Sequence, residues 1–171
     1  NPNLSGEVKR AKYKLSIYSS GVKEPVKIFN KETYIGPNST FALFEGPFSL
    51  TGVGPFRAVF EWEDGLAWEK NTVSNVVIGV ESPNLLITAT SSQRLEAKLI
   101  NRSTVGVSNV EVVAILSDID GNTVASSKTF VDLIEAGEFA PISFTWPEPF
   151  VGVPVTTRIL AHPLPDKRYI R

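Results

Sequence analysis

The run NPNLSGEVKRAKYKLSIYSSG at residues 1–21 returns a hundred residues later, without a gap, as NRSTVGVSNVEVVAILSDIDG at residues 101–121. Each copy starts at an Asn, crosses polar turn residues, enters a strand-like stretch and ends on a turn glycine. Asn1 aligns with Asn101 and Gly21 with Gly121. A second correspondence follows, GPNSTFALF at 36–44 against EAGEFAPISF at 135–144. Self-similarity at a fixed period means that one supersecondary unit occurs twice, and it determines the fold more than any local propensity does.

The unit itself is built from strands. Apolar residues recur at every second position, the period of a half-buried strand. Phe56, Ala58, Phe60 and Trp62 share one face of FRAVFEWE, while Arg57, Val59, Glu61 and Glu63 share the other. Leu95, Ala97 and Leu99 alternate with Glu96 and Lys98, and Ile142, Phe144 and Trp146 alternate in PISFTW. Val153, Val155, Thr157, Ile159 and Ala161 give a last strand. VVIGV, NLLITAT and VEVVAIL are rich in β-branched residues and read as more deeply buried strands.

Turn signals separate these runs: SSG, GPNST, GVGP, EDG, DIDGN and EAGE. Short strands at regular spacing predict antiparallel sandwiches rather than a parallel sheet with crossover helices. The fold class expected is therefore all-β, two tandem antiparallel β-sandwiches of immunoglobulin or fibronectin-III type. Pro83 in ESPN interrupts two strand-like runs and places the boundary between units of 1–82 and 83–171. The second unit has NLLITAT and RLEAKLI ahead of Asn101, and the first has no counterpart to them. Its opening strand is expected either upstream in the natural protein or from another molecule by strand addition.

Composition removes several function classes. Lys and Arg number 17 against 18 Asp and Glu, a formal charge of −1, without the basic excess of a nucleic-acid binder. Lys9, Arg10, Lys12 and Lys14 cluster, but Lys12 and Lys14 alternate with Tyr13 and Leu15 as the wet face of a strand does. With no Cys, neither a disulfide framework nor a thiolate metal site is available. No apolar run is long enough to span a bilayer as a helix, so membrane association is expected only through an anchor outside these residues. With no Met, the chain reads as a mature or trimmed one.

Candidate chemistry is sparse. Asp118, Asp120 and Asn122 alternate in DIDGNT as at the start of a calcium loop, but an EF-hand requires Gly at position 6 and Glu at position 12. Here Gly121 falls at position 4 and Thr129 at position 12, and Asp-Gly between two strands is itself a hairpin signal. His162 is the single histidine; with no Cys it makes neither a Cys/His metal site nor a familiar nucleophile–base pair. Glu61 with Glu63 and Glu135 with Glu138 lie on a strand's outer face and in a turn, the ordinary places for surface charge. Trp62 and Trp146 fall in register with inward residues and are expected in the cores, with Phe41, Phe44, Phe48, Phe56 and Phe60 forming an aromatic-rich run. Trp68, beside EDGLA, is the ring to watch for exposure and the candidate platform if the chain binds a glycan or small ligand. Sequons at Asn3, Asn38 and Asn101 are short enough to arise by chance. No catalytic group, cofactor or firm metal site is predicted.

Residues 1–63, with NPN at the start of a unit, the strand YKLSIY and the turn GPNST before FALF, resemble the water-stress and hypersensitive-response domain of group 2 late-embryogenesis-abundant proteins. In that family Asn-Pro-Asn follows the first strand of a sandwich. LEAKLINRS, VSNVEVVAILSDIDGNTVA and IEAGEFAPISFTW resemble FxLYD- and CARDB-type bacterial surface domains, although AILSDIDG stands where the name-giving Leu-Tyr-Asp belongs. The tandem order and FTWPEPF look like surface proteins of ultrasmall candidate-phyla bacteria. These resemblances imply a non-catalytic, extracytoplasmic structural or adhesion protein, a spacer or filament subunit. Its partners would be proteins, including copies of itself joined by strand addition at the edge of the first unit. A glycan-binding accessory module and a stress-protective protein are the alternatives.

Overall fold

The computed structural model describes residues 1–46, 56–63, 65–72, 76–87 and 92–165. These form ten strands and no helix: β1 Gly6–Ser19, β2 Lys27–Ile35, β3 Phe56–Trp62, β4 Glu69–Lys70, β5 Ile78–Leu86, β6 Gln93–Asn101, β7 Val107–Ser117, β8 Thr123–Ile134, β9 Phe139–Trp146 and β10 Thr156–Pro163. All pairings are antiparallel. The chain divides into two compact units, Asn1–Ser39 with Glu45–Thr72, and Thr40–Phe44 with Val73–Arg171. The division thus follows Thr72. The residues around Pro83, expected as a boundary, lie inside β5 instead. They are accommodated by a register shift between Glu81 and Asn84, with Ser82 at φ 51°. A bulge of this kind is one of the few places where a strand tolerates proline.

In the first unit β1 is the central strand, flanked by β2 and β3 in the order β2-β1-β3. A register shift between Val8 and Ala11 divides it, and its first residues, Gly6 and Glu7, pair with Lys70 and Glu69 of β4. Bulges bend a strand and let it serve neighbours on both sides of the bend. Among the described residues Val8, Ala11, Tyr13, Ile17 and Ile35 are the buried apolar ones here. Glu7 is buried as well, and its carboxylate accepts hydrogen bonds from the Tyr34 hydroxyl at 2.7 Å and the Asn71 amide at 2.9 Å. A charge removed from water is tolerated only when it is satisfied in this way.

The second unit holds two three-stranded sheets, β10-β7-β8 and β5-β6-β9. β6, QRLEAKLIN, buries every second residue, as its sequence predicts. Leu95, Ala97 and Leu99 of β6 meet Ile142 and Phe144 of β9 and Val110, Val112, Ala114 and Leu116 of β7 in one core. Sharing a core between two sheets secures most of the favourable free energy, at about 25 cal/mol per Å² of apolar surface removed from water.

β7 is buried on both faces. Val107, Val110, Val112, Ala114 and Leu116 enter the core, and Glu111 and Val113 on the opposite face are also buried. The cover on that face comes from Thr40–Phe44. The Phe41 ring stacks on His162 at a centroid distance of 4.1 Å, and Lys128 Nζ lies 5.8 Å from the Phe44 ring centroid and 3.1 Å from Glu111 Oε2. Residues 41–44, expected as a strand, are therefore not in one; they serve as an apolar cover over β7 and its neighbours.

Asn1 and Asn101 make corresponding hydrogen bonds. Asn101 Nδ2 donates to the carbonyls of Val105 and Ile134 at 2.8 and 2.9 Å, and its Oδ1 accepts from Ser103 N–H at 2.9 Å. Asn1 Nδ2 donates to the carbonyls of Gly6 and Gly36 at 2.8 and 2.7 Å, and its Oδ1 accepts from Asn3 N–H at 3.1 Å. In each unit one amide ties the turn before a central strand to the end of the strand paired with it. Pairing registers correspond too, once the strands are slipped by one residue against the ungapped alignment of Asn1 with Asn101. Tyr13, Leu15 and Ile17 face Trp62, Phe60 and Ala58, while Val112, Ala114 and Leu116 face Ala161, Ile159 and Thr157. Val8 faces Ile35 as Val107 faces Ile134.

Candidate functional site

β3 gathers the most conspicuous exposed chemistry of the first unit. Period-two alternation and the pairing to β1 place Ala58, Phe60 and Trp62 on one face beside Ile17, Leu15 and Tyr13. Tyr13 is buried and stacks on Phe60 at 5.5 Å between centroids, and Trp62 meets Phe60 edge-on at 4.9 Å. Offset and edge-to-face geometries of this kind are the favoured aromatic arrangements. Yet Phe60 is 42 % exposed and Trp62 39 %. The expectation that Trp62 is a core residue is thus corrected. It shares the inward face of the sheet, but it sits on the terminal strand, beyond the part that is covered.

Cations border this aromatic face. Lys27 and Lys31 lie 5.5 and 5.9 Å from the Phe29 ring centroid, and Lys31 Nζ also reaches Glu45 at 2.6 Å. The Tyr13 hydroxyl donates to the same Glu45 carboxylate. On the opposite face of β3, Arg57 lies over the Tyr18 ring at 4.7 Å. Guanidinium stacking on an aromatic ring orders the side chain while leaving its charge available to a partner. Among the described residues β3 has one neighbouring strand, β1.

The DIDGNT segment is a tight hairpin end. Asp118 Oδ1 accepts the N–H groups of Asp120 and Asn122 at 3.0 and 2.8 Å, and Oδ2 accepts Asn122 Nδ2 at 3.2 Å. Gly121, at φ 84°, supplies the left-handed residue that the turn requires. Burial works to raise the Asp118 pKa, but the hydrogen bonds from Asn122, Asp120 and Gly121 outweigh it and hold the carboxyl below its usual range. The structure brings Asp118 and Asn122 together. The Asp118 carboxylate and the Asn122 amide nitrogen are committed to the turn, with Asp120 contributing its backbone N–H. Among the described residues no group of three or more His, Asp or Glu side chains is arranged to hold a metal ion.

The other candidates are dispersed. His162 is buried near the end of β10, where it stacks on Phe41. Trp146 packs against the second core, as expected, and its indole N–H donates to the Ser126 carbonyl at 3.1 Å. Trp68 is 50 % exposed. Phe48 and the Phe56 side chain lie outside the described residues. Glu61, Glu135 and Glu138 are exposed, and Glu138 N–H closes a turn on the Glu135 carbonyl at 3.1 Å. Of the sequon asparagines, Asn101 is fully buried, Asn3 Oδ1 accepts the N–H groups of Ser5 and Gly6, and Asn38 occupies a left-handed turn at φ 43°.

Sequence reasoning missed two features. The role of Asn101 is signalled only by its alignment with Asn1. The exposure of Phe60 and Trp62 carries no local signal, because an alternating strand reads the same whether or not a second layer covers it. No family model matches the chain, and no curated protein matches it either.

Proposed function

We propose that the chain is a pair of tandem β-sandwich modules of immunoglobulin-like type, non-catalytic and extracytoplasmic, acting as a spacer or filament subunit through protein–protein contacts. The observation that carries this reading is the correspondence between the units. Asn1 and Asn101 hold equivalent turns, and the central strands β1 and β7 pair their neighbours in equivalent registers. A chain that repeats one β-module, with its prominent apolar rings on an edge strand, suits extension and contact. The resemblance of residues 1–63 to the water-stress domain, and of the later residues to FxLYD- and CARDB-type surface domains, supports the same assignment. Immunogold labelling of source cells tests it. Label on the outer surface or on extended appendages is the expected result, and label confined to the cytoplasm would overturn the proposal.

The exposure of Trp68 favours a second reading, a glycan-binding accessory module. Aromatic rings at a surface stack on the apolar faces of sugars, and the tryptophan emission then shifts on binding. A saccharide-dependent change in fluorescence that Trp68→Ala removes would establish this role, and its absence across neutral and acidic oligosaccharides would eliminate it.

A further inference from the structure

We infer that β3 is a self-pairing edge: a second copy of this chain adds to it antiparallel, across a two-fold axis through Val59. The inference rests on the reading of the chain as a protein-contact module, and it names the partner and the register. Among the described residues β3 ends the sheet β2-β1-β3, with β1 on one side of its backbone, and a further strand can add to the other side. Its seven residues, FRAVFEW, contain no Pro, Gly or Lys, the residues that commonly protect an edge.

The register follows from charge. In a fully overlapped antiparallel pair centred on Val59, Arg57 stands directly opposite Glu61 of the second copy, and Glu61 opposite its Arg57. Opposed residues share one face of the joined sheet, so both ion pairs form on the face where Arg57 already lies over Tyr18. On the other face Ala58 stands opposite Phe60 of the second copy, a small residue against a large half-exposed ring. An isologous interface must be self-complementary in this way.

Other terminal strands lack the pattern. A self-pair of β2 over its full length places Lys31 against Lys31 on the axis, a like-charge contact. β5 and β9 contain Pro83 and Pro141, which remove backbone donors. β10, the counterpart of β3 in the second unit, carries Arg158 and no acidic residue. A full-length self-pair of β8 sets Lys128 against Thr129 and Asp132 against Ala125, so its charges do not meet. Of these described terminal strands, β3 is the one whose full-length self-pair matches its own opposite charges.

The test uses the full chain. It contains no Cys, so Val59→Cys introduces a single thiol on the proposed axis. Under mild oxidation this variant should be trapped as a disulfide-linked dimer, whereas Val22→Cys, in an exposed turn, should not be enriched in dimer. In sedimentation the unmodified chain should self-associate. Glu61→Arg turns both ion pairs into like-charge contacts and should weaken association roughly tenfold or more. Arg57→Glu should do the same, and the double variant with both changes should restore association. Unchanged far-UV circular dichroism and amide spectra show that each variant is folded. A chain that stays monomeric up to about 1 mM, association indifferent to Glu61→Arg, or a double variant that fails to recover would each overturn the inference. A monomeric chain found on the cell surface would refute the pairing alone, while cytoplasmic label would refute the module reading even if β3 pairs.

Discussion

The sheets β2-β1-β3 and β8-β7-β10 share a strand order, a pairing register and an asparagine-held turn, but they differ in what lies against them. Ile159 and Ala161 pack onto a core that also receives Leu95, Leu99 and Phe144 from β5-β6-β9. Phe60 and Trp62 occupy the equivalent positions beside β1 and are exposed. The same alternating pattern thus yields interior in one unit and surface in the other. Small aliphatic residues stand where β5-β6-β9 lies against the sheet, and large rings stand where the described residues leave them exposed.

The widest separation between the units is expected from paired truncations. Phe144→Ala empties a fully buried site and should cost the second unit about 3–5 kcal/mol in denaturant unfolding. Phe60→Ala removes a half-exposed ring and should cost the first unit about 1 kcal/mol. Equal losses would mean that Phe60 is as enclosed as Phe144, and the comparison would fail.

Next in size is the asparagine pair. Asn101→Ala leaves the buried Ile134 carbonyl unpaired and should cost about 2–3 kcal/mol, whereas Asn1→Ala, at a half-buried site, should cost about 1 kcal/mol. Hydrogen exchange of the strands that follow, β7 and β1, reports each loss in its own unit.

Phe41→Ala sharpens the assignment of Thr40–Phe44. It should lower the stability of the second unit by about 1–2 kcal/mol and deprotect the amides around Glu111 and His162. A loss confined to β1 and β2 would contradict that placement.

The smallest effect concerns the Asp118 hairpin. A carboxyl with its folded pKa depressed contributes stability that is fully present above its unfolded pKa and is lost as pH falls through the folded one. An NMR titration should therefore give Asp118 a lower midpoint than Asp in a short DIDGNT peptide, with the β7–β8 turn losing stability as pH falls through that midpoint. A midpoint at or above the peptide value would contradict the turn bonds.

Much of this architecture was legible in the residues. The alternation of Leu95, Ala97 and Leu99 gave β6 and its buried face, and Asp-Gly at 120–121 gave the β7–β8 turn. These signals are local, set by side-chain period and by the φ that a turn demands. Pro83 misled because a bulge can hold a proline within a strand, and a bulge is defined by the partner strand rather than by its own residues. FALF at 41–44 misled because an apolar run specifies burial, not pairing. Trp62 misled for a related reason, since period two identifies which residues share a face and says nothing of what covers it. The β3 candidate was legible only in its ingredients: Arg57, Val59 and Glu61 were placed together on one face, but their symmetry acquired meaning once β3 was found at the end of its sheet.

The cover supplied by Thr40–Phe44 bears on how the chain matures at the ribosome. Those five residues emerge before any strand of the second unit has been made, and their partner His162 emerges with β10, after the other strands of that unit. Closure over β7 must therefore wait for β10, through a contact of long sequence separation, the kind that slows folding. Until then Phe41 and Phe44 remain available to chaperones. A fragment starting after Thr72 could never complete that closure by itself.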